Sequence, residues 1–315
     1  MRLHPRNVVL LLVFSGLAFA SVALERDEQQ VQDAGPLLTG FEPARVERVV
    51  LTPPGAAALE LLRGGPEEPW TLPSRDGFGA YGYAVDELLA RVAAVPRSDR
   101  VGSEPSSFDA HGVGTAGVRL AFYGGAGELL AELVQGAPAG LATGSNVRLA
   151  EGDEVFRASG LQPVGTDPGA WLDAQLVRFD PVEVRGVAIS HEGGRIFLDL
   201  LRGADGWRVL NDPDKTVPKN LVERVLQVAS TLVFTDLIDA RIEPKNGFGS
   251  PPETLLELDL EGDERAALWI GVPTGDGAYY ATNPHWEKSW CAALPSRTAE
   301  VLFGAIDALH AASVR

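Results

Sequence analysis

The sequence predicts an α+β chain: two tandem copies of a mostly antiparallel sheet domain, each with one or two packed helices, behind an N-terminal membrane anchor. Three observations predict it. Phe41-Glu42-Pro43-Ala44-Arg45-Val46-Glu47-Arg48-Val49-Val50-Leu51-Thr52 returns without a gap, 138 residues later, as Phe179-Asp180-Pro181-Val182-Glu183-Val184-Arg185-Gly186-Val187-Ala188-Ile189-Ser190. Each phrase is followed by the same series of strand, turn, tryptophan and helix signals. Ahead of both lies an uncharged run flanked by opposite charges.

The run comes first in the chain. Arg2, His4 and Arg6 precede Asn7–Leu24, and Glu25-Arg26-Asp27-Glu28 restores charge behind it. That length suits a signal-anchor in residues 1–24, with membrane contact through residues 8–24 and the body exported. Ala18-Phe19-Ala20 offers the alternative, secretion after cleavage behind Ala20. Residues 25–40, with three glutamines and Gly35-Pro36, read as a polar tether. Copy one is then expected over 41–178 and copy two over 179–315.

In each copy the phrase is a strand entry. The aromatic tucks under the sheet, proline limits pairing at the strand start, and the two valines three apart face the core. Leu59-Glu60-Leu61-Leu62-Arg63-Gly64 and Leu198-Asp199-Leu200-Leu201-Arg202-Gly203 are second strands, and Trp70 and Trp207 open third ones. Val85, Leu88, Leu89, Val92 and Val95 share one helical face, as do Val222, Val225, Leu226, Ala229 and Leu232. Glycine turns follow, Gly112-Val113-Gly114-Thr115 and Gly247-Phe248-Gly249-Ser250, each leading into an alternating strand (118–122, 256–260). Next come strands ending at Gly136-Ala137-Pro138 and Gly271-Val272-Pro273. Further strands are expected at 146–149, 154–157, 278–282 and 289–292. Helices near Pro168–Leu176 and Ser296–Ala311 close the copies. The last carries Val301, Leu302, Ile306 and Leu309 on one side, with Ser296 as N-cap.

The ordered series F-[DE]-P-x-x-V-x-x-[VI], strand, turn, tryptophan, and later glycine turn with alternating strand resembles the DUF4340 family of bacterial proteins over about residues 38–311. The resemblance implies a membrane-anchored, exported protein of unknown activity, associated with gliding-type ABC transporter components. It therefore implies a bacterial inner-membrane location with the body in the periplasm, and an envelope or transporter protein as partner. It supplies no catalytic residues.

Composition narrows the partners. Against 27 basic residues stand 43 acidic ones, a net charge of −16, which argues against nucleic acid or an anionic membrane face. At 45% hydrophobic and 22% charged, the chain has globular values. Cys291 is the single cysteine, which excludes an intrachain disulfide and a cysteine-based metal site; its apolar run Trp290–Leu294 reads as core.

No motif assembles a catalytic set. No two of the five histidines have metal-ligand spacing, and His111 reads as a turn residue. Glu257 and Asp259 alternate with leucines as the wet face of a strand, and Glu261-Gly262-Asp263-Glu264 is its turn, without an EF-hand order. Asp212-Pro213-Asp214-Lys215 reads as a loop. There is no G-x-S-x-G and no P-loop lysine pattern. No cofactor and no metal are expected. Tyr279, Tyr280, Trp286 and Trp290, clustered only in copy two, are candidates for a ligand or partner surface, against the alternative that they pack in the core. The expected function is a non-enzymatic accessory or interaction module of an envelope complex. A glycan- or peptide-binding module using these aromatics is the alternative, and an undetected hydrolase the third reading.

Overall fold

The computed structural model describes residues 35–138, 144–239 and 242–313. The expected anchor and all but the end of the tether lie outside the described residues. Among the described residues no helix is long and apolar enough to cross a membrane. The chain forms two compact units, with the break between Trp171 and Leu172.

Unit 1 contains β1 (Arg48–Thr52), β2 (Leu59–Leu62), β3 (Thr71–Leu72), β4 (Phe78–Gly79), α1 (Gly82–Ala93), β5 (Arg100–Gly102), β6 (Val118–Tyr123), β7 (Leu129–Pro138), β8 (Gly144–Leu149) and β9 (Val155–Ser159). They make one antiparallel sheet in the order β4-β3-β2-β1-β6-β7-β8-β9-β5. Two four-stranded meanders meet at β1 and β6, where Leu51 opposes Leu120 and Val49 opposes Phe122. α1 carries the chain from one sheet edge to the other, and the loop after β5 returns it to the middle. Alternation explains the faces: Val49, Leu51, Leu59, Leu61, Leu120, Phe122 and Leu133 all point to one side and are buried. α1 covers that side with the expected Val85, Leu88, Leu89 and Val92, each worth about 1.5–3 kcal/mol of burial as an upper bound.

Unit 2 repeats this with β10 (Val184–His191), β11 (Ile196–Gly203), β12 (Gly206–Val209), β13 (Asp212–Val217), α2 (Lys219–Ser230), β14 (Leu237–Ile238), β15 (Thr254–Leu260), β16 (Arg265–Pro273), β17 (Ala278–Thr282), β18 (Cys291–Pro295) and α3 (Ser296–Ser313). The sheet order β13-β12-β11-β10-β15-β16-β17-β18-β14 is that of unit 1, strand for strand. α2 buries Val222, Val225, Leu226 and Ala229. Val95 and Leu232 are buried too, just past the ends of α1 and α2.

The glycine turns have a packing reason. A Cβ on Gly136 of β7 would lie 2.3 Å from the His111 carbonyl oxygen. At the equivalent Gly271 of β16 it would lie 1.9 Å from the Asn246 carbonyl oxygen. The returning loop thus lies directly on the sheet, and only glycine leaves room. Gly112 and Gly247 complete the contact with φ of +71° and +83°, which glycine adopts without strain.

Several expectations are corrected. Each unit starts before its phrase: Leu37 N–H donates to Val95 O at 2.7 Å, and Leu176 N–H to Leu232 O at 3.1 Å. Leu37 and Leu38 are buried, so the end of the tether belongs to unit 1, and residues 172–178 fold with unit 2. Pro43 opens a 3₁₀ turn, Pro43–Arg45, ahead of the strand rather than starting it. Asp212–Lys215 is the start of edge strand β13, not a loop; charge and proline suit an edge. The helix near Pro168–Leu176 is a single 3₁₀ turn, Pro168–Trp171. In α3, Val301 is 49% exposed and leaves the apolar face to Leu302, Ile306 and Leu309 with Ala299 and Ala305. Ser296 Oγ donates to Gly277 O at 2.6 Å and so ties the helix start to the β16–β17 turn.

One exchange explains why only unit 2 ends in a helix on its sheet. In unit 1, Gln135 and Ser145 lie under an extended strap. Gln135 Nε2–H donates to Ser145 Oγ and to Gln162 O, both at 2.8 Å, and Ser145 Oγ–H donates to Leu161 O at 2.6 Å. Val164 N–H returns to Gln135 Oε1 at 2.9 Å. The equivalent strand positions in unit 2 are Ile270 and Tyr279, and Tyr279 meets Phe303 of α3 edge-on at 5.3 Å. Polar residues satisfy an extended backbone; apolar ones receive a helix.

Candidate functional site

Three places carry chemistry. The first is an arginine–tryptophan node in each unit. Arg63 donates Nε–H to Val46 O (2.8 Å), Nη1–H to Pro66 O (3.1 Å), and Nη2–H to Ala44 O (3.2 Å) and Pro43 O (3.5 Å). Its guanidinium lies over Trp70, 4.6 Å from the ring centroid, and the residue is buried. Arg202 stacks over Trp207 at 5.0 Å and donates to Val182 O (2.5 Å) and Pro181 O (3.2 Å). The node gathers the carbonyls of the phrase turn, so Arg63 and Arg202 hold the repeated phrase in place. Both arginines stand in the aligned strands of the sequence, but their spacing to the phrase and the tryptophan only acquires meaning once β2 folds beside β1.

Beside Arg202, unit 2 has a groove of about 1050 Å³ between the Gly203–Gly206 hairpin, the Pro181–Val182 turn and α2. Lys219 and Arg224 line its helix side; Asp205 and Glu223 are its acids.

The second place is the aromatic set of copy two, which divides. Tyr279 and Tyr280 are neighbours on β17 and so face opposite sides of the sheet. Tyr279 packs on Phe303, while Tyr280 Cβ would be 3.3 Å from a Cβ on Gly271, on the side of the returning loop. Trp286 and Trp290 lie in the β17–β18 connection as an edge-to-face pair at 6.3 Å, with Trp286 on Phe234 at 6.0 Å and Lys288 Nζ 5.6 Å from the Trp290 ring. Thr282 Oγ–H donates to Trp290 O (2.7 Å) and Asn283 Nδ2–H to Leu176 O (3.1 Å), which folds the connection onto the start of the unit. Both tryptophans are half-buried. The four aromatics therefore do not make one face; two of them make a pair.

The third is the outer face of the unit 2 sheet, opposite α2. Cross-strand registers set its rows: Phe197, Ser190, Leu255 and Trp269 in one, Asp199, Ala188, Glu257 and Ala267 in the next, Leu201, Gly186, Asp259 and Arg265 in the third. Phe197 is 61% exposed and Leu201 44%; Leu210, just beyond β12, is 43% exposed. Burial, reinforced by the Asp259 carboxylate, holds Asp199 above the usual carboxylate range. The face is apolar with one acidic row, Asp199 and Glu257, while Asp259 pairs with Arg265 at 3.4 Å.

The remaining candidates sit in structure. Glu257 and Asp259 are on the wet face of β15, as the alternation predicts. His111 lies in the returning loop, where its carbonyl caps Gly136 and accepts from Asn146 Nδ2–H at 3.2 Å. His191 is buried at the end of β10, its Nδ1 2.7 Å from Thr254 Oγ1 and its ring 4.8 Å from Phe303. Burial pushes its imidazole down from the ordinary range, with Asp307, Glu192 and Glu253 pulling the other way. Burial pushes the Cys291 thiol up to about 11, so it stays protonated. Among the described residues no group of three or more His, Cys, Asp and Glu could hold a metal ion.

A family profile described as a domain of unknown function (DUF4340) matches residues 70–251. No curated protein and no solved structure matches the chain. The matched stretch starts at Trp70, takes in the second phrase and the Trp207 node, and ends behind the glycine turn of unit 2. It spans more than half of the sequence, and the chain belongs to the DUF4340 family.

Proposed function

We propose that this protein is a non-enzymatic interaction module, held by residues 8–24 in the bacterial inner membrane with both sheet units on the periplasmic side, and that it docks a protein of an envelope complex of ABC-transporter type. The anchor and its orientation rest on the charges around residues 7–24, and the transporter-type partner on the family resemblance, which is an associational warrant. The observation that carries the docking itself is the β11–β12 side of the unit 2 outer face, away from the returning loop that lies on β16, where Phe197, Leu201 and Leu210 stand exposed. An apolar patch on an otherwise charged surface is the usual mark of an interaction site. Its acidic row, Asp199 with Glu257, calls for a partner with apolar and cationic side chains. A photo-cross-linking residue at Phe197, used in native membranes, is expected to capture one discrete protein, and the same residue at exposed Arg297 of α3 is expected not to. Equal yields at both positions, or no product at Phe197, would sink the reading.

The edge-to-face pair Trp286–Trp290 with Lys288 keeps the second reading, a glycan- or peptide-binding module, in play. Trp286→Ala and Trp290→Ala separate the two: loss of cell-wall fragment binding with the fold intact supports it, and collapse of the fold marks the pair as packing.

A further inference from the structure

The two units make a controlled comparison at their arginine–tryptophan nodes. In unit 1 the hairpin between Arg63 and Trp70 holds six residues; in unit 2 the one between Arg202 and Trp207 holds four. The longer hairpin folds back on its arginine. Pro66 O accepts from Arg63 Nη1–H, and the Glu68 carboxylate comes within 2.2 Å of where a Cβ on Gly64 would sit. Arg63 is thereby bonded to four carbonyls and 9% exposed. Arg202 has two carbonyl acceptors, and beside its shorter hairpin opens the groove of about 1050 Å³.

The groove also departs from the charge of the chain. Its acids are engaged, Asp205 with Arg208 at 3.3 Å and Glu223 with Lys219 at 3.4 Å. Arg202 and Arg224 line it as cations, and neither makes an ion pair among the described residues. Counting Lys219, three cations face two acids in a protein of net charge −16. The volume is at the upper end of the roughly 300–1,000 Å³ of small-ligand pockets, enough for a short peptide.

We propose that this groove binds an acidic peptide segment, with one carboxylate on the donors of Arg202 that Pro66 O and Val46 O occupy at Arg63, and a second on Arg224. Guanidinium groups present paired N–H donors that match a carboxylate. The assignment stands apart from the outer-face docking, because it uses the hairpin and α2 alone.

The test is calorimetric titration of the full chain at low salt with acetyl-tetraglutamate amide, beside acetyl-tetraglutamine amide. A chain this acidic repels a polyanion in general, so binding has to be local. Saturable one-site binding of tetraglutamate is expected, at least tenfold tighter than tetraglutamine. Arg224→Glu is expected to weaken it at least tenfold, and so is replacing Gly203–Gly206 by the Gly64–Pro69 hairpin of unit 1. No binding, equal binding of both peptides, or binding that Arg224→Glu leaves unchanged overturns the proposal. Arg224 is exposed on α2, so that variant stays informative even if the hairpin graft fails to fold.

Discussion

Gly271→Ala puts the packing account at risk with a single methyl group. The added Cβ would lie 1.9 Å from the Asn246 carbonyl oxygen, whereas ordinary contact begins at 3.4 Å. The loop therefore has to lift by about 1.5 Å, and its atom is backbone, not a side chain that can swing away. Overpacking of this kind costs about 1–3 kcal/mol, and removing a glycine from the unfolded chain returns about 0.4–1 kcal/mol. Lifting the loop also gives up the contact of Gly247 with β16, so the upper half of that range applies. A net loss of about 2 kcal/mol is expected. With a urea slope of about 2–3 kcal/mol/M, the unfolding midpoint of unit 2 should fall by about 0.7–1 M. Gly275→Ala is the matched control: it sits in the next turn with nothing within 4 Å of its Cβ position. It should leave the midpoint unchanged or raise it slightly. If Gly271→Ala unfolds at the same urea concentration as Gly275→Ala, the close approach of loop and sheet is wrong.

Two further predictions follow from burial. Arg63→Ala should cost about 2–4 kcal/mol, since it leaves buried carbonyls unpaired and uncovers Trp70, and Arg202→Ala about 1–2 kcal/mol, since fewer carbonyls depend on it; equal losses in urea unfolding would contradict the reading of the two nodes. His191 is held neutral by burial, its folded pKa below the ordinary value of 6.5. The unfolded chain therefore takes up the proton first, and stability present above pH 6.5 is lost as the pH falls toward the folded pKa. The slope is at most about 1.4 kcal/mol per pH unit. His191→Gln should flatten that part of the stability profile, and a variant with an unchanged slope would assign it elsewhere.

The repeat, the strands of the two meanders and the helix faces were legible because each rests on local period: leucines alternating in 256–260, or Val85, Leu88, Leu89 and Val92 on one stripe. What was not legible depends on chain returning from far away. β4, β5 and β14 have two or three residues each, too few for a pattern, and exist because a neighbouring strand offers hydrogen bonds. Leu37 and Leu38 looked like the end of a tether until Val95 supplied a partner. Arg63 and Arg202 were visible as matched letters, but their task appears only when the phrase turn folds over them. The hairpin beside the unit 2 groove is two residues shorter than its counterpart, a signal that reads as ordinary loop variation without the geometry of Arg63 beside it. The aromatic cluster misled in the other direction, because adjacency along β17 separates Tyr279 from Tyr280 instead of joining them.

The central claim is that both units share one crossover topology, in which the first strand of the phrase pairs with the strand after the glycine turn. Cross-strand nuclear Overhauser contacts on the full chain test it most directly. Contacts between Leu51 and Leu120 and between Ile189 and Leu256 are expected together, matching the registers β1–β6 and β10–β15. A chain that followed its sequence order would instead place β5 beside β6 and β14 beside β15. Contacts of that kind, with the other two missing, would contradict the account.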